Sequence, residues 1–210
     1  VPRHRILGAA AWSDSLRFRR ELAADLHVTR PKVCAQMWGQ HGDHLVPLWS
    51  TIEVPGISDQ RLADVIGLAR QNRSLADLPA EIVAARTRAL SLIESGDVVD
   101  SYQFIQGQPA DIRAAIKPFF THFTAGHTTE LATAHAVVDL ADMVLGGHRR
   151  AIPAQVLLDG EHWGIHGVAA VGVLTGPTGW SQVITEDIAD DERAALSQAA
   201  KAISVANSPQ

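Results

Sequence analysis

The chain lacks most of the features that would narrow its function at a glance. It holds one cysteine, Cys34, among 210 residues. That excludes an intrachain disulfide and any cysteine metal cluster. Lying in an apparent strand, Cys34 is expected to be a small buried residue. No apolar run approaches the ~20 residues that span a bilayer. No basic start followed by an apolar middle and a small-residue cleavage site marks a leader. Positive charge is thin, with 18 Lys and Arg against 23 Asp and Glu and a formal net charge of −5. The basic residues are scattered apart from "RHR" and "RFRR", so no nucleic-acid surface is indicated. Internal repeats and low-complexity segments are absent. No G-x-G-x-x-G follows a strand and opens a helix, so the chain shows no dinucleotide-binding fingerprint. The default is a soluble, cytoplasmic, globular protein.

What is present is apolar residue in quantity and a readable order of elements. Hydrophobic residues make up 46% of the chain, enough for one substantial core. "SDSLRFRRELAADL" reads as a helix with Ser13 and Asp14 as N-cap candidates. "KVCAQMW" and "LVPLWSTIEV" read as strands, Pro47 weakening the second. "SDQRLADVIGLARQN", capped by Ser58, and "LPAEIVAARTRALSLIESGD" are helices. "PADIRAAIKPFF" begins as a helix and is expected to break at Pro118; "THFTAG" looks like loop. "TTELATAHAVVDLADMVLGG" is a strong helix with a Gly146-Gly147 stop. "AIPAQVLL", "VAAVGVLTG" and "PTGWSQVI" form an antiparallel meander. A last helix, "DIADDERAALSQAAKAISVA", is capped by Asp190 or Asp191, with Glu192 in its first turn. The order predicts an α+β fold, antiparallel strands packed with long helices, without the βαβ alternation of a doubly wound sheet. A single domain is expected over residues 1–206, with 207–210 a frayed tail.

Three residues draw attention as a set. Asp14 and Arg17 are three apart and share a helix face. His41 sits in the turn "GQHGD" that ends a strand. Separately each has an ordinary use: a helix-dipole acid, a surface ion pair, a turn histidine. Together they suit acid–base chemistry. A carboxylate on an imidazole fixes its tautomer and stabilises its imidazolium. An arginine beside it can hold a substrate carboxylate through a bidentate pair. Interconversion of a 2-hydroxy acid and a 2-oxo acid needs those two groups, with a cofactor for the hydride. Among the other histidines, His122, His127 and His135 bracket the segment around Thr129; one of them could reach a pocket there, and the ordinary reading is a solvated or helix-face histidine. His162 and His166 are four apart, but Gly164 and Gly167 argue against a helical zinc pair, so no metal site is expected. Trp12, Trp38 and Trp49 read as core, and Glu130 as a first-turn helix acid.

"SDSLRFR" followed by "GQHGDHLVPLWS" resembles the lactate/malate dehydrogenase family. There an L-D-S-x-R-F-R helix precedes a G-E-H-G-D turn and a V-P-x-W-S strand. "RRAIPAQVLLDGEHWGIHGVAAVGVLTGPTGWSQVI" and "DIADDERAALSQAAKAI" are similar to the family's late strand run and closing helix. The likeness covers most of the chain, and only the family's C-terminal substrate and catalytic domain. Gln40 stands where the family has glutamate, and Ser13 where it has leucine. The stretch at about 98–126 is roughly thirty residues longer than the family pattern, and loops that long usually carry a role or a structure of their own.

The resemblance implies that His41 is the proton donor and acceptor, that Asp14 orients it, and that Arg17 binds the substrate carboxylate. It places Thr129 where the family reads the substrate's far end. It also implies an NAD-dependent oxidoreductase acting on a small 2-hydroxy or 2-oxo acid, lactate-like or malate-like, with "VPLWS" and Thr129 tilting towards lactate. A homo-oligomer is implied as well. The family's NAD-binding domain is not in this sequence and would lie upstream of Val1 or in a separate chain. The alternative is a domain without its NAD-binding half, kept as an oligomerisation or ligand-binding module.

Overall fold

The computed structural model describes residues 1–70, 73–122, 128–185 and 187–208. It is α+β. The helices are α1 (Ala10–Leu26), α2 (Asp59–Arg70), α3 (Leu78–Glu94), α4 (Val98–Gln106), α5 (Ala110–His122), α6 (Thr128–Leu145) and α7 (Asp190–Ala206). The strands are β1 (Met37–Gly39), β2 (Leu45–Pro47), β3 (Ala151–Asp159), β4 (His166–Gly176) and β5 (Gly179–Val183). All pair antiparallel, in the order β2-β1-β4-β3, with β5 also on β4. β4 is the spine. Its Ala170 faces Gln155 of β3 on one edge and Gly39 of β1 on the other. The β3–β4–β5 meander forms as its turn residues predict.

Apolar side chains gather into two clusters. One is helical and includes Phe18, Leu22, Leu26, Ile82, Ile105 and Ile116. The other lies on the sheet and includes Trp38, Val156, Val171, Val173 and Leu196. α1 spans both: Trp12 packs on the sheet cluster, and Phe18 meets Trp49 edge-on at 5.1 Å in the helical one. Asp14 and Arg17 therefore sit where the two clusters meet.

Several expectations need correction. α1 begins at Ala10, not at Ser13 or Asp14, and has no local side-chain cap. Gln155 of β3 supplies the missing acceptor, taking the Ala11 N–H on Oε1 at 3.2 Å. A helix end needs a partner for its free N–H groups, and that partner can come from across the fold. Ser15, in the helix body, meets Met37 through its Oγ, 2.9 Å from the backbone N and 3.3 Å from the O. The strand before the turn is only Met37–Gly39; Cys34 forms an isolated bridge with Glu53 and is exposed, not buried. Trp49–Thr51 is a turn of 3-10 helix, not strand.

α5 runs through Pro118 to His122. Proline's φ is helical and only one backbone bond is lost; Ala110–Ile116, ahead of it, are all buried. Residues 98–106, left unassigned by the sequence, are helical. At α7 the cap is neither Asp190 nor Asp191. Glu192, 0% exposed, accepts the Ser50 N–H at 2.9 Å and the Ala189 N–H at 3.1 Å, and also takes the Ser50 hydroxyl. Ser58 does cap α2, its Oγ 3.4 Å from the Arg61 nitrogen. Gly147, with φ +67°, ends α6 as expected. His127 and most of "THFTAG" lie outside the described residues, as do the last two residues of the tail.

Candidate active site

Asp14 is the hub of the site. Its side chain is 4% exposed, and a carboxylate that deep must be met by donors. It has two. Arg17, one turn on, donates from Nη1 to Oδ1 at 3.0 Å. His41 Nδ1 lies 2.8 Å from Oδ2. With Nδ1–H donating to the carboxylate, Nε2 is the free end of the ring. The His41 side chain is 57% exposed, so that end can meet a ligand. The pairing with Asp14 raises the His41 pKa above its ordinary 6.5, while burial works against it.

The turn makes this geometry. Gly39 has φ +84°, and a Cβ there would lie 2.5 Å from the His44 carbonyl oxygen. Only glycine allows the chain to close so tightly. The Gln40 N–H then donates to that same carbonyl at 3.0 Å. Asp43 ties the turn to α3, accepting from Arg86 Nη1 at 2.6 Å. The Arg86 guanidinium rests 5.0 Å from the centre of the Phe119 ring.

Arg17 also lines a cavity of about 460 Å³ between α1, α4, α5 and α6, and so does Thr129. The Thr129 hydroxyl is already engaged, 3.1 Å from the Pro118 carbonyl oxygen and 2.7 Å from Thr121 Oγ1. His41 borders two other recesses, one with Gly8, Gln155 and Ile203, the other with Asp43 and Arg86. The fold thus brings Asp14, Arg17 and His41 together and puts Thr129 in the cavity that Arg17 lines.

The cavity wall holds residues that the sequence reading passed over: Arg20, Glu21, Arg113 and Lys117. Arg17, Arg20, Glu21 and Ala24 follow i, i+3, i+4, i+7 spacing, a helix-face signal that could have found part of it. His122 and His135 are exposed and do not line it. His162 is 0% exposed, against Trp38 and Trp163, with no hydrogen-bond partner for either ring nitrogen. Burial pushes its pKa down to about 4. Among the described residues no three His, Cys, Asp or Glu side chains are grouped to hold a metal ion.

An imidazole held by a buried carboxylate can pass a proton to an oxygen in front of Nε2 and take it back. A guanidinium with most of its five N–H donors still available can fix a carboxylate beside it.

No family model matches the chain, but individual proteins do. The malate dehydrogenase of Bacillus israeli is 25% identical over 203 residues, 96% of this chain and 53% of that protein. The L-lactate dehydrogenase of Petromyzon marinus is 23% identical over 205 residues, 97% of this chain and 51% of that one. The crystal structure of Cryptosporidium parvum malate dehydrogenase shares the fold, with a TM-score of 0.62 at 21% identity over 98% of this chain and 55% of its own. The chain's homologues are malate and lactate dehydrogenases. Its fold matches the C-terminal domain of that dehydrogenase family. It spans about half the length of these relatives. Among the described residues no helix is long and apolar enough to cross a membrane.

Proposed function

We propose that the chain is the substrate and catalytic domain of an NAD-dependent 2-hydroxy-acid dehydrogenase. The observation that carries this reading is the buried Asp14 carboxylate, with His41 on one oxygen and Arg17 on the other. In the direction of reduction, Arg17 holds the carboxylate of a 2-oxo acid. His41 gives its Nε2 proton to the C2 oxygen, and the bound carrier would supply a single hydride, with its two electrons, to C2. The product is the 2-hydroxy acid, and His41 is left neutral. Asp14 keeps the ring in the right tautomer and the cation stable. Thr129, its hydroxyl engaged, acts on the far end of the substrate by shape and as an acceptor.

NAD is the hydride carrier that this reading requires, and among the described residues the recess beside His41 does not build its site. The recess beside His41 has Gly8, Ala9, Ala10, Val168, Ile203 and Ala206 on its walls, with Gln40, Gln155 and Asn207. It offers no cation and no glycine-rich helix start for a pyrophosphate. The carrier's domain must be supplied from outside these residues. A homo-oligomer belongs to the same reading, supported by the exposed apolar residues Leu131, Val137, Val138 and Leu145 on α6.

The test is NADH oxidation driven by a 2-oxo acid, on a protein carrying this domain together with an NAD-binding half. His41→Asn should lower kcat by about 10²–10⁴-fold, the usual worth of a positioned acid–base group. Arg17→Lys should lower kcat/KM by about 10- to 100-fold through loss of charge-assisted hydrogen bonds. Reduction needs protonated His41, so the rate should fall as pH rises through its raised pKa, and Asp14→Asn should move that fall to lower pH. Self-association without NADH oxidation would favour an oligomerisation module instead.

A further inference from the structure

We propose that the cavity between α1, α4, α5 and α6 is a substrate side-chain compartment, built for 2-oxo and 2-hydroxy acids with a branched apolar or aromatic tail. This rests on the dehydrogenase reading for the role of Arg17. Arg17 joins the two parts of the site: Nη1 is tied to Asp14, whose other oxygen meets His41, and the same side chain lines the cavity. A substrate with its carboxylate on Arg17 and its C2 oxygen at His41 has only its tail left to place, and the cavity is the space that Arg17 and Thr129 both line.

Size and charge define that tail. About 460 Å³ lies within the range of ~300–1,000 Å³ typical of ligand pockets. A methyl group, of about one water's volume (~30 Å³ each in the liquid), would leave most of it open. The charged wall groups are already matched to one another. Glu21 takes Arg113 Nε at 2.9 Å and Lys117 Nζ at 2.6 Å, and Asp25 takes Arg113 Nη2 at 2.6 Å. Among the described wall residues Arg20 is the remaining cation, and it is exposed to solvent. Away from Arg20, a second carboxylate on the substrate would meet Arg113 and Lys117, which Glu21 and Asp25 already hold. An apolar tail would meet Tyr102 and Phe120 instead, with Ile105 packed behind them. The two rings, one from α4 and one from α5, lie 5.9 Å apart at 47°, within the spacing at which aromatic groups attract.

The experiment compares kcat/KM for pyruvate, oxaloacetate, 4-methyl-2-oxopentanoate and phenylpyruvate on the protein with its NAD-binding half. Phenylpyruvate or 4-methyl-2-oxopentanoate should exceed both smaller acids. Ala132→Phe, which fills the cavity from α6, should lower the ratio of bulky-acid to pyruvate kcat/KM at least tenfold. Ala24→Phe, filling it from α1, should do the same if the first variant folds poorly. In the unsubstituted protein the methyl NMR signals of Ile105 should shift with phenylpyruvate and stay in place with pyruvate. Preference for pyruvate or oxaloacetate, or a ratio unmoved by both variants, overturns the compartment and leaves the dehydrogenase reading standing. Turnover of none of the four acids overturns both.

Discussion

The helical half of the molecule and the sheet half bury different things. Between α1 and α5 the buried groups include charged ones, and each of these is answered. Glu21 and Arg113 are 3% and 6% exposed and face each other, with Asp25 and Lys117 completing the set. Asp111, 1% exposed, takes both Nη atoms of Arg73. The sheet half buries Trp38, Val171 and Val173 among aliphatic neighbours, yet it also encloses His162 with no partner. Its helix α6 leaves Val138 63% exposed and Leu145 86% exposed. Hydropathy alone would assign these helices the other way round. A charged helix can go inside when its partners come with it, and α6 shows that an apolar helix can keep a face open.

The largest effect should come from breaking the charged interface. Glu21→Ala leaves Arg113 buried with one carboxylate partner fewer and should cost about 3–5 kcal/mol in denaturant unfolding. A loss below about 1 kcal/mol would mean that the helical half does not depend on those pairs.

Next comes His162. Its folded pKa of about 4 lies below the ordinary 6.5, so between those values the unfolded chain binds more protons. Stability should therefore fall as pH drops from 6.5 towards 4, by about 3 kcal/mol in all. His162→Phe should remove that acid loss. His41 works in the opposite sense: its raised pKa supports the fold below pH 6.5, and that support fades as pH rises through the folded value. Urea melts of the chain and of His162→Phe across pH 4–8 would separate the two. The smallest effect belongs to α6, where Val138→Ala should change the stability of this chain by no more than about 0.5 kcal/mol.

Much of this was legible beforehand. Helical periodicity and turn residues mark α2, α3, α6 and the β3–β4–β5 meander, because those signals are local. The Asp14–Arg17–His41 set was legible as a possibility through helix spacing and the "GQHGD" turn, and as a probability only through family resemblance. What was not legible depends on partners far along the chain. Gln155 satisfies the start of α1 from 144 residues away. Ser50 shares Glu192 with the first turn of α7 across 142 residues. Local capping rules pointed to Ser13, Asp14, Asp190 and Asp191 and could not see either. The cavity wall is of the same kind, since Arg113 and Lys117 matter to Glu21 only once α5 lies on α1.

The claim on which the account depends is that buried Asp14 holds His41 as a proton donor. An NMR titration of the His41 imidazole in this chain and in Asp14→Asn tests it most directly. The account expects a pKa above 6.5 in the unsubstituted chain and a clear drop in the variant. A His41 that titrates at or below 6.5, or identically in both proteins, would contradict it.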